Sequence, residues 1–206
     1  AGILQMESPL DSFTIEGNAT FSGNTTNSYL SYGTLYLKGN LTQSGNSASF
    51  CPDLDHKTVL NGTGVQSLTF TNPGSNTVTS HFHDVEIQKT SGSVTSPGGS
   101  PLVVINGNLI DAAGGYWQAL ETQMSSATPR LPATLTTHLK FPANSTLQGN
   151  FILTGDMTVT ATLNIGGRTV SITGAFTTSG AGILQMESPL DSFTIEGNAT
   201  FSGNTT

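Results

Sequence analysis

Charge is what this sequence has least of. Asp, Glu, Lys and Arg make up 9% of its 206 residues, against about 25% in an ordinary soluble domain. The six basic residues (Lys38, Lys57, Lys89, Arg130, Lys140 and Arg168) are scattered, and the formal net charge is −7. Nucleic acid is therefore excluded as a partner, because binding it needs clustered cations that replace counterions. Cysteine is reduced to Cys51. One thiol cannot build a disulfide framework, so Cys51 is expected inside as a small hydrophobe. The longest strongly apolar run is "LVVI" at 102–105, far short of the ~20 residues of a membrane-spanning helix. G-x-S-x-G, P-loop and H-E-x-x-H motifs are all missing.

What fills the gaps is Gly, at 24 positions, with abundant Thr, Ser and Asn. Such a chain is hydrated through hydroxyls and amides, a profile that fits an extracellular β-rich repeat better than a cytosolic enzyme. Asn-x-Ser/Thr sequons at Asn18, Asn24, Asn40, Asn61, Asn144, Asn198 and Asn204 are surface acceptors where a glycosylating system exists.

One feature governs the reading. Residues 1–26, "AGILQMESPLDSFTIEGNATFSGNTT", recur without a change as residues 181–206. A fold can demand an apolar residue at Ile15, but it cannot demand that Glu7, Asp11 and Glu16 return as Glu187, Asp191 and Glu196. Exposed carboxylates interchange at little energetic cost, so identity there marks a copied unit. Residues 1–180 thus read as one full tandem-repeat unit and 181–206 as the start of the next.

Within the unit, short alternating segments are punctuated by Gly-Asn or Gly-Asp. "SFTIEGNATFSGN" carries Phe13, Ile15, Gly17-Asn18 and Phe21; "TLYLKGNLTQSGN" carries Leu35, Leu37, Gly39-Asn40 and Leu41. "LVVINGNLIDAAG", "TLQGNFILTGDMTV" and "RTVSITGAFTTSG" repeat the pattern. Period two places the apolar side chains on one strand face, and Gly and Asn tolerate the left-handed backbone of a sharp corner. Strand, corner, strand at this density predicts an all-β parallel β-solenoid, with rungs of roughly 20–25 residues stacked in ladders. Two antiparallel β-sandwiches per period, each near the ~100 residues of an immunoglobulin-like domain, are the alternative.

The stretch 112–146 breaks the pattern. It holds the single Trp, three prolines (Pro129, Pro132 and Pro142) and the run "YWQALETQMSS". Trp117, Leu120 and Met124, spaced by three and four, predict one face of a short helix. The stretch is expected to leave the rungs as an irregular excursion, with Tyr116 and Trp117 as candidate anchors for a surface glycan or protein.

Other chemistry-bearing residues are few. "CPDLDH" at 51–56 and "HFH" at 81–83 bring Asp53, Asp55, His56, His81 and His83 into consideration as metal ligands, but paired zinc-type spacing is lacking. Asp53/Asp55 and Asp84/Glu86 are the only close acid pairs of the repeat unit, and no basic cluster accompanies them. No metal, cofactor or catalytic residue is expected; the remaining alternative is a polysaccharide-active β-helix enzyme working through Asp53, Asp55, Asp84 and Glu86. Repeat-junction stacking is expected to involve Phe13, Ile15 and Phe21 on one side and Val170, Ile172 and Phe176 on the other, with adjacent copies of the repeat as partners.

The segment from Ser44 to Ile87 resembles a recurrent motif of very large bacterial surface proteins. A pattern close to H-x-V-x-L-N-G-x-x-x-Q-x-x-x-F appears as His56, Val59, Leu60, Asn61, Gly62, Gln66 and Phe70, with Lys57 and Thr58 between His56 and Val59. A strand with Phe82, Val85 and Ile87 follows. The Gly-Asn rungs resemble adhesins of the filamentous-haemagglutinin kind. That resemblance implies an extracellular structural or adhesive array at the cell surface, a fibre, stalk or sheath, with no catalytic residues to carry over.

Overall fold

The computed structural model describes residues 2–24, 26, 29–98 and 101–203; the Asn204 sequon lies outside them. The described chain has no helix, so no helix is long and apolar enough to cross a membrane. Strand accounts for 44% of it, in a parallel β-solenoid of about eight turns.

Five sheets run along the axis. The first stacks β1 (Ser12–Ile15), β3 (Thr34–Leu37), β5 (Lys57–Leu60), β7 (Asp84–Ile87) and β10 (Leu109–Asp111). The second stacks β2 (Ala19–Phe21), β4 (Leu41–Gln43), β6 (Gln66–Phe70), β8 (Val94–Thr95) and β11 (Trp117–Gln118). The third holds β9 (Leu102–Ile105), β12 (Glu121–Met124), β14 (His138–Phe141), β17 (Met157–Val159), β20 (Phe176–Gly180) and β23 (Ala199–Gly203). The fourth holds β13 (Thr134–Thr136), β16 (Phe151–Thr154), β19 (Thr169–Ile172) and β22 (Ser192–Ile195), and the fifth β15 (Ser145–Thr146), β18 (Thr162–Asn164) and β21 (Ile183–Gln185). Strands within each sheet are parallel, as in β1–β3, β12–β14 and β19–β22. Antiparallel sandwiches are thereby ruled out.

Alternation explains the inside. Leu35, Leu37, Leu41, Leu68 and Phe70 point inward and are fully buried, within one apolar cluster that extends from Met6 to Phe176. Phe50, Phe70 and Phe82 form a tilted and edge-on aromatic group, with Phe82 5.2 Å from Phe50 and 5.4 Å from Phe70.

The corners work differently from the expectation. Among the described residues the only non-glycine in left-handed backbone is Leu54, and the corner asparagines are not left-handed. Their side-chain carbonyls instead cap the rung above. Asn18 accepts from the Asn40 amide (2.9 Å), Asn40 from Ser67 (2.8 Å), Asn108 from Arg130 (3.0 Å) and Asn150 from Thr169 (2.9 Å). Asp84 and Asp156 do the same for Asn108 and Ala175 (both 2.7 Å). At some corners close approach also requires the glycine: a Cβ on Gly39 would strike the Gly17 backbone, and one on Gly174 the Gly155 backbone, whereas one on Gly149 would meet nothing.

The helix expected in 112–146 is absent. Those residues form β11 to β15, and β12 lies in register between β9 and β14. The irregularity is one of topology. Here the first two sheets end, at β10 and β11, and the fourth and fifth begin, at β13 and β15. Rungs also tighten. Corner caps link residues 22 to 27 positions apart before this point and 18 or 19 apart over the rungs that follow, until the last rung lengthens again and Asp191 accepts from Gly167, 24 positions away.

Candidate functional site

The candidate metal ligands are not gathered. Asp53 and Asp55 are exposed, and Asp53 accepts from the Leu54 amide at 2.7 Å in the turn where Leu54 is left-handed. His56 is buried, with Nδ1 donating to the Tyr32 carbonyl at 2.9 Å. His81 is buried too, its Nδ1 3.1 Å from the carbonyls of Gly74 and Thr79 and its ring 3.9 Å from Cys51 Sγ. Burial holds both imidazoles below their ordinary range. Burial, aided by the Asp53 charge, pushes the Cys51 thiol up to about 11. His83 is half-buried. Among the described residues no three His, Cys, Asp or Glu side chains are placed to share a metal ion. His56 instead ties its turn to the rung of Tyr32, and His81 holds its own loop through Gly74 and Thr79.

Trp117 is not a surface anchor. It has no exposed area, and its Nε1 donates to Thr122 Oγ1 at 2.9 Å. Buried Asp111 fixes the approach, accepting from the amides of Gly114, Tyr116 and Trp117 at 3.0, 2.9 and 3.3 Å. Tyr116 is half-buried against the core. The acid pair Asp84/Glu86 is likewise engaged in the fold: Asp84 caps a corner and Glu86 pairs with Lys57 at 2.9 Å.

Buried polar residues that carry no motif chemistry in the sequence bind the rungs together. Gln66 donates to the carbonyls of Leu37 and Gly39 below it (2.9 and 2.8 Å) and accepts from the Gly62 amide (2.9 Å). Lys89, on the next rung, donates to Gln66 and to the carbonyls of Gly62 and Gly64 at 2.9, 2.6 and 2.7 Å. Burial lowers its pKa. Gln43 similarly accepts from the amides of Thr71 and Asn72 (2.9 and 3.1 Å). Gln66 lies in the pattern from His56 to Phe70, but its ladder role depends on which residues stack above and below it.

The two identical segments sit in complementary surroundings, and this defines the candidate site. Among the described residues, β1 of the first copy pairs only with β3, Phe13 opposite Leu35 and Ile15 opposite Leu37. In the second copy the same four residues form β22 and, among the described residues, pair only with β19, Phe193 opposite Val170 and Ile195 opposite Ile172. Each copy therefore uses the ladder edge that the other leaves open. β2 pairs with β4, whereas its counterpart β23 pairs with β20, bringing Phe176 opposite Ala199.

Burial divides in the same way. Met6 is 2% exposed and Met186 47%. Phe13 is 47% exposed, while Phe193 packs edge-on against Phe176 at 5.0 Å. Phe21 stacks on Phe50 at 4.8 Å; Phe201 is 5.6 Å from Phe176 and otherwise open. An open recess of about 380 Å³ lies over Leu4, Phe13, Ile15, Ala19 and Phe21 on the unpaired side of the first copy. The local turn is unchanged between copies: Asp11 accepts from the Ser8 amide at 2.9 Å, and Asp191 from the Ser188 amide at 2.8 Å. A Cβ on Gly17 would meet nothing, but one on Gly197 would meet the Gly174 backbone. Of the candidate stacking residues, Val170, Ile172 and Phe176 line the face that the second copy touches, whereas Phe13, Ile15 and Phe21 belong to the first copy itself and pair with β3 and β4.

The chain matches no protein-family model, no curated protein and no solved structure.

Proposed function

We propose that this chain is a section of a tandem array whose copies stack end to end into one rigid rod, serving as a fibre, stalk or sheath outside the cell. The observation that carries this reading is the pairing of one 26-residue sequence on opposite ladder edges in its two copies. Combining the two environments gives each junction strand a neighbour on both sides, Val170–Phe193 below and the equivalent of Phe13–Leu35 above. The ladders through β22 and β23 then run on through the repeat boundary, removing unpaired strand edges that are a liability in any sheet, whereas the fifth sheet, whose β21 corresponds to residues 3–5, gives way to the single Met6–Leu30 bridge. The charge-poor, hydroxyl- and amide-rich surface supports an extracellular setting. The role is mechanical, and no cofactor or catalytic group takes part.

Hydrogen exchange on a chain of at least three copies tests the reading. Amides of the internal equivalents of residues 12–21 should be protected as strongly as those of β5 and β17. Exchange at those positions as fast as in loops would overturn it.

A further inference from the structure

Each rung has three sides, and each side can be followed along the solenoid from strand to strand. The side of β2 rises through β4, β6, β8 and β11, meets β13, and continues through β16 and β19 to β22. The side of β1 rises through β3, β5 and β7 to β10. It passes next to residues 127–130, where the Arg130 carbonyl accepts from the Leu109 amide, and then to β15, where Thr146 donates to the Ala127 carbonyl. From there it runs through β18 to β21. The third side begins at Met6, which bridges Leu30. The Leu30 carbonyl accepts from Asp53, and the Phe50 carbonyl from His81. Phe82 bridges Ile105 of β9, and β12, β14, β17 and β20 lead on to β23.

The three sides do not return to themselves. β22 has the sequence of β1, β23 begins with that of β2, and β21 is residues 3–5 again. The side that carries β2 in one copy therefore carries β1 in the next. The side of β1 comes to carry residues 3–5, and the third side comes to carry β2. All three shift by one place in the same sense. From β2 to β22 the chain climbs eight turns, and β23 follows one side later. We infer that successive copies are related by a screw, each advancing eight turns and one side, so that the three sides of the rod exchange roles from copy to copy and only the fourth copy faces as the first does. The inference rests on the proposed rod.

A column of threonines shows the shift. Thr158, Thr177 and Thr200 lie opposite one another, and so do Thr20, Thr42 and Thr69. Thr200 and Thr20 are one position of the repeat. An array therefore carries five threonines in one column, from the third sheet of one copy into the second sheet of the next. The corresponding five of the following copy stand on the adjacent side.

The screw has a mechanical consequence. The long segments 44–56, between β4 and β5, and 71–83, between β6 and β7, both lie on the third side. Each copy is thus uneven about its axis. The rotation between repeats sets the curvature of a solenoid. Copies that all faced one way would add their bends into an arc. Copies turned by one side bend in three directions, and over three copies these bends cancel. The rod stays straight, as a stalk or fibre requires. A partner that reads any one surface feature meets it on each side in turn, every roughly 40 Å along the rod but every roughly 120 Å along a single side.

Helical reconstruction of a chain with several copies tests the screw. Followed up one side, residues 19–21 of a copy should have residues 12–15 of the next copy eight strands above them. Successive copies should superpose after a rise of roughly 40 Å and a rotation by one side, and the rod should be straight. A continuous rod in which residues 12–15 of each copy stand on the same side as those of the copy before would overturn the screw and leave the rod standing. Globules on linkers would overturn both. Labelling gives an independent reading. Thr160 is exposed, whereas Cys51 is 1% exposed and does not compete for reagent. The same chain with T160C in every copy, treated with maleimide-coated gold, should show particles winding round the rod on three sides in turn. Particles in single file along one side would overturn the screw.

Discussion

At the scale of the residue, burial decides what each notable side chain does. Trp117 fills the interior, so W117A should destabilise the fold by about 3–5 kcal/mol, read as a lower urea midpoint. Native emission should be blue-shifted and resist quenching by iodide. Sequence spacing misplaced this residue for a physical reason. Trp117 of β11 and Ala119 just after it are buried, as are Thr122 and Met124 of β12, and exposed Leu120 lies at the corner between. Two period-two strands joined by a bend imitate the spacing of three and four that marks a helical face. The histidines give a pH prediction. Burial lowers the folded pKa of His56 and His81 below the ordinary 6.5, so between the two values the unfolded chain binds more protons. Their contribution is complete above 6.5 and is lost as pH falls through it towards the folded values. The urea midpoint should be lower at pH 5.5 than at pH 7.5, and replacing both histidines by glutamine should reduce that difference.

At the scale of the element, the corner is the unit that repeats. Its Gly-Asn signature was readable in the sequence, and so were the strands on either side. The reason for it was not readable, because a cap on Ser67 by Asn40 is visible only once rungs of known length are stacked. N40A leaves that amide without its side-chain partner and should destabilise the fold by about 1 kcal/mol, measured by chemical denaturation. G39A should be worse than N40A, because its Cβ meets the fixed Gly17 backbone rather than a flexible side chain. Ion pairs between rungs matter less. Lys140–Glu121 is 2.7 Å long but about a third exposed on each side, and K140M should change stability by at most about 1 kcal/mol. The change in rung length near β12 was also hidden, since it depends on the pairing of β9 with β12 and not on local propensity.

At the scale of the molecule, the repeat is both the clearest sequence signal and the organiser of the structure. Identity between 1–26 and 181–206 revealed a copied unit, but only the opposite pairings of β1 and β22 show how one copy would seat on the next. The ion pair Glu16–Lys38 at 2.9 Å shows what Glu196 should meet in a longer array, the next copy's equivalent of Lys38. The central claim is that stacking continues unbroken through the repeat boundary. Electron cryomicroscopy of a chain with several copies tests it most directly. With about eight turns and strands ~4.8 Å apart, the account predicts an unbroken rod whose density repeats every roughly 40 Å. Globules separated by thin linkers, or a rod interrupted once per copy at the β19–β22 boundary, would contradict it.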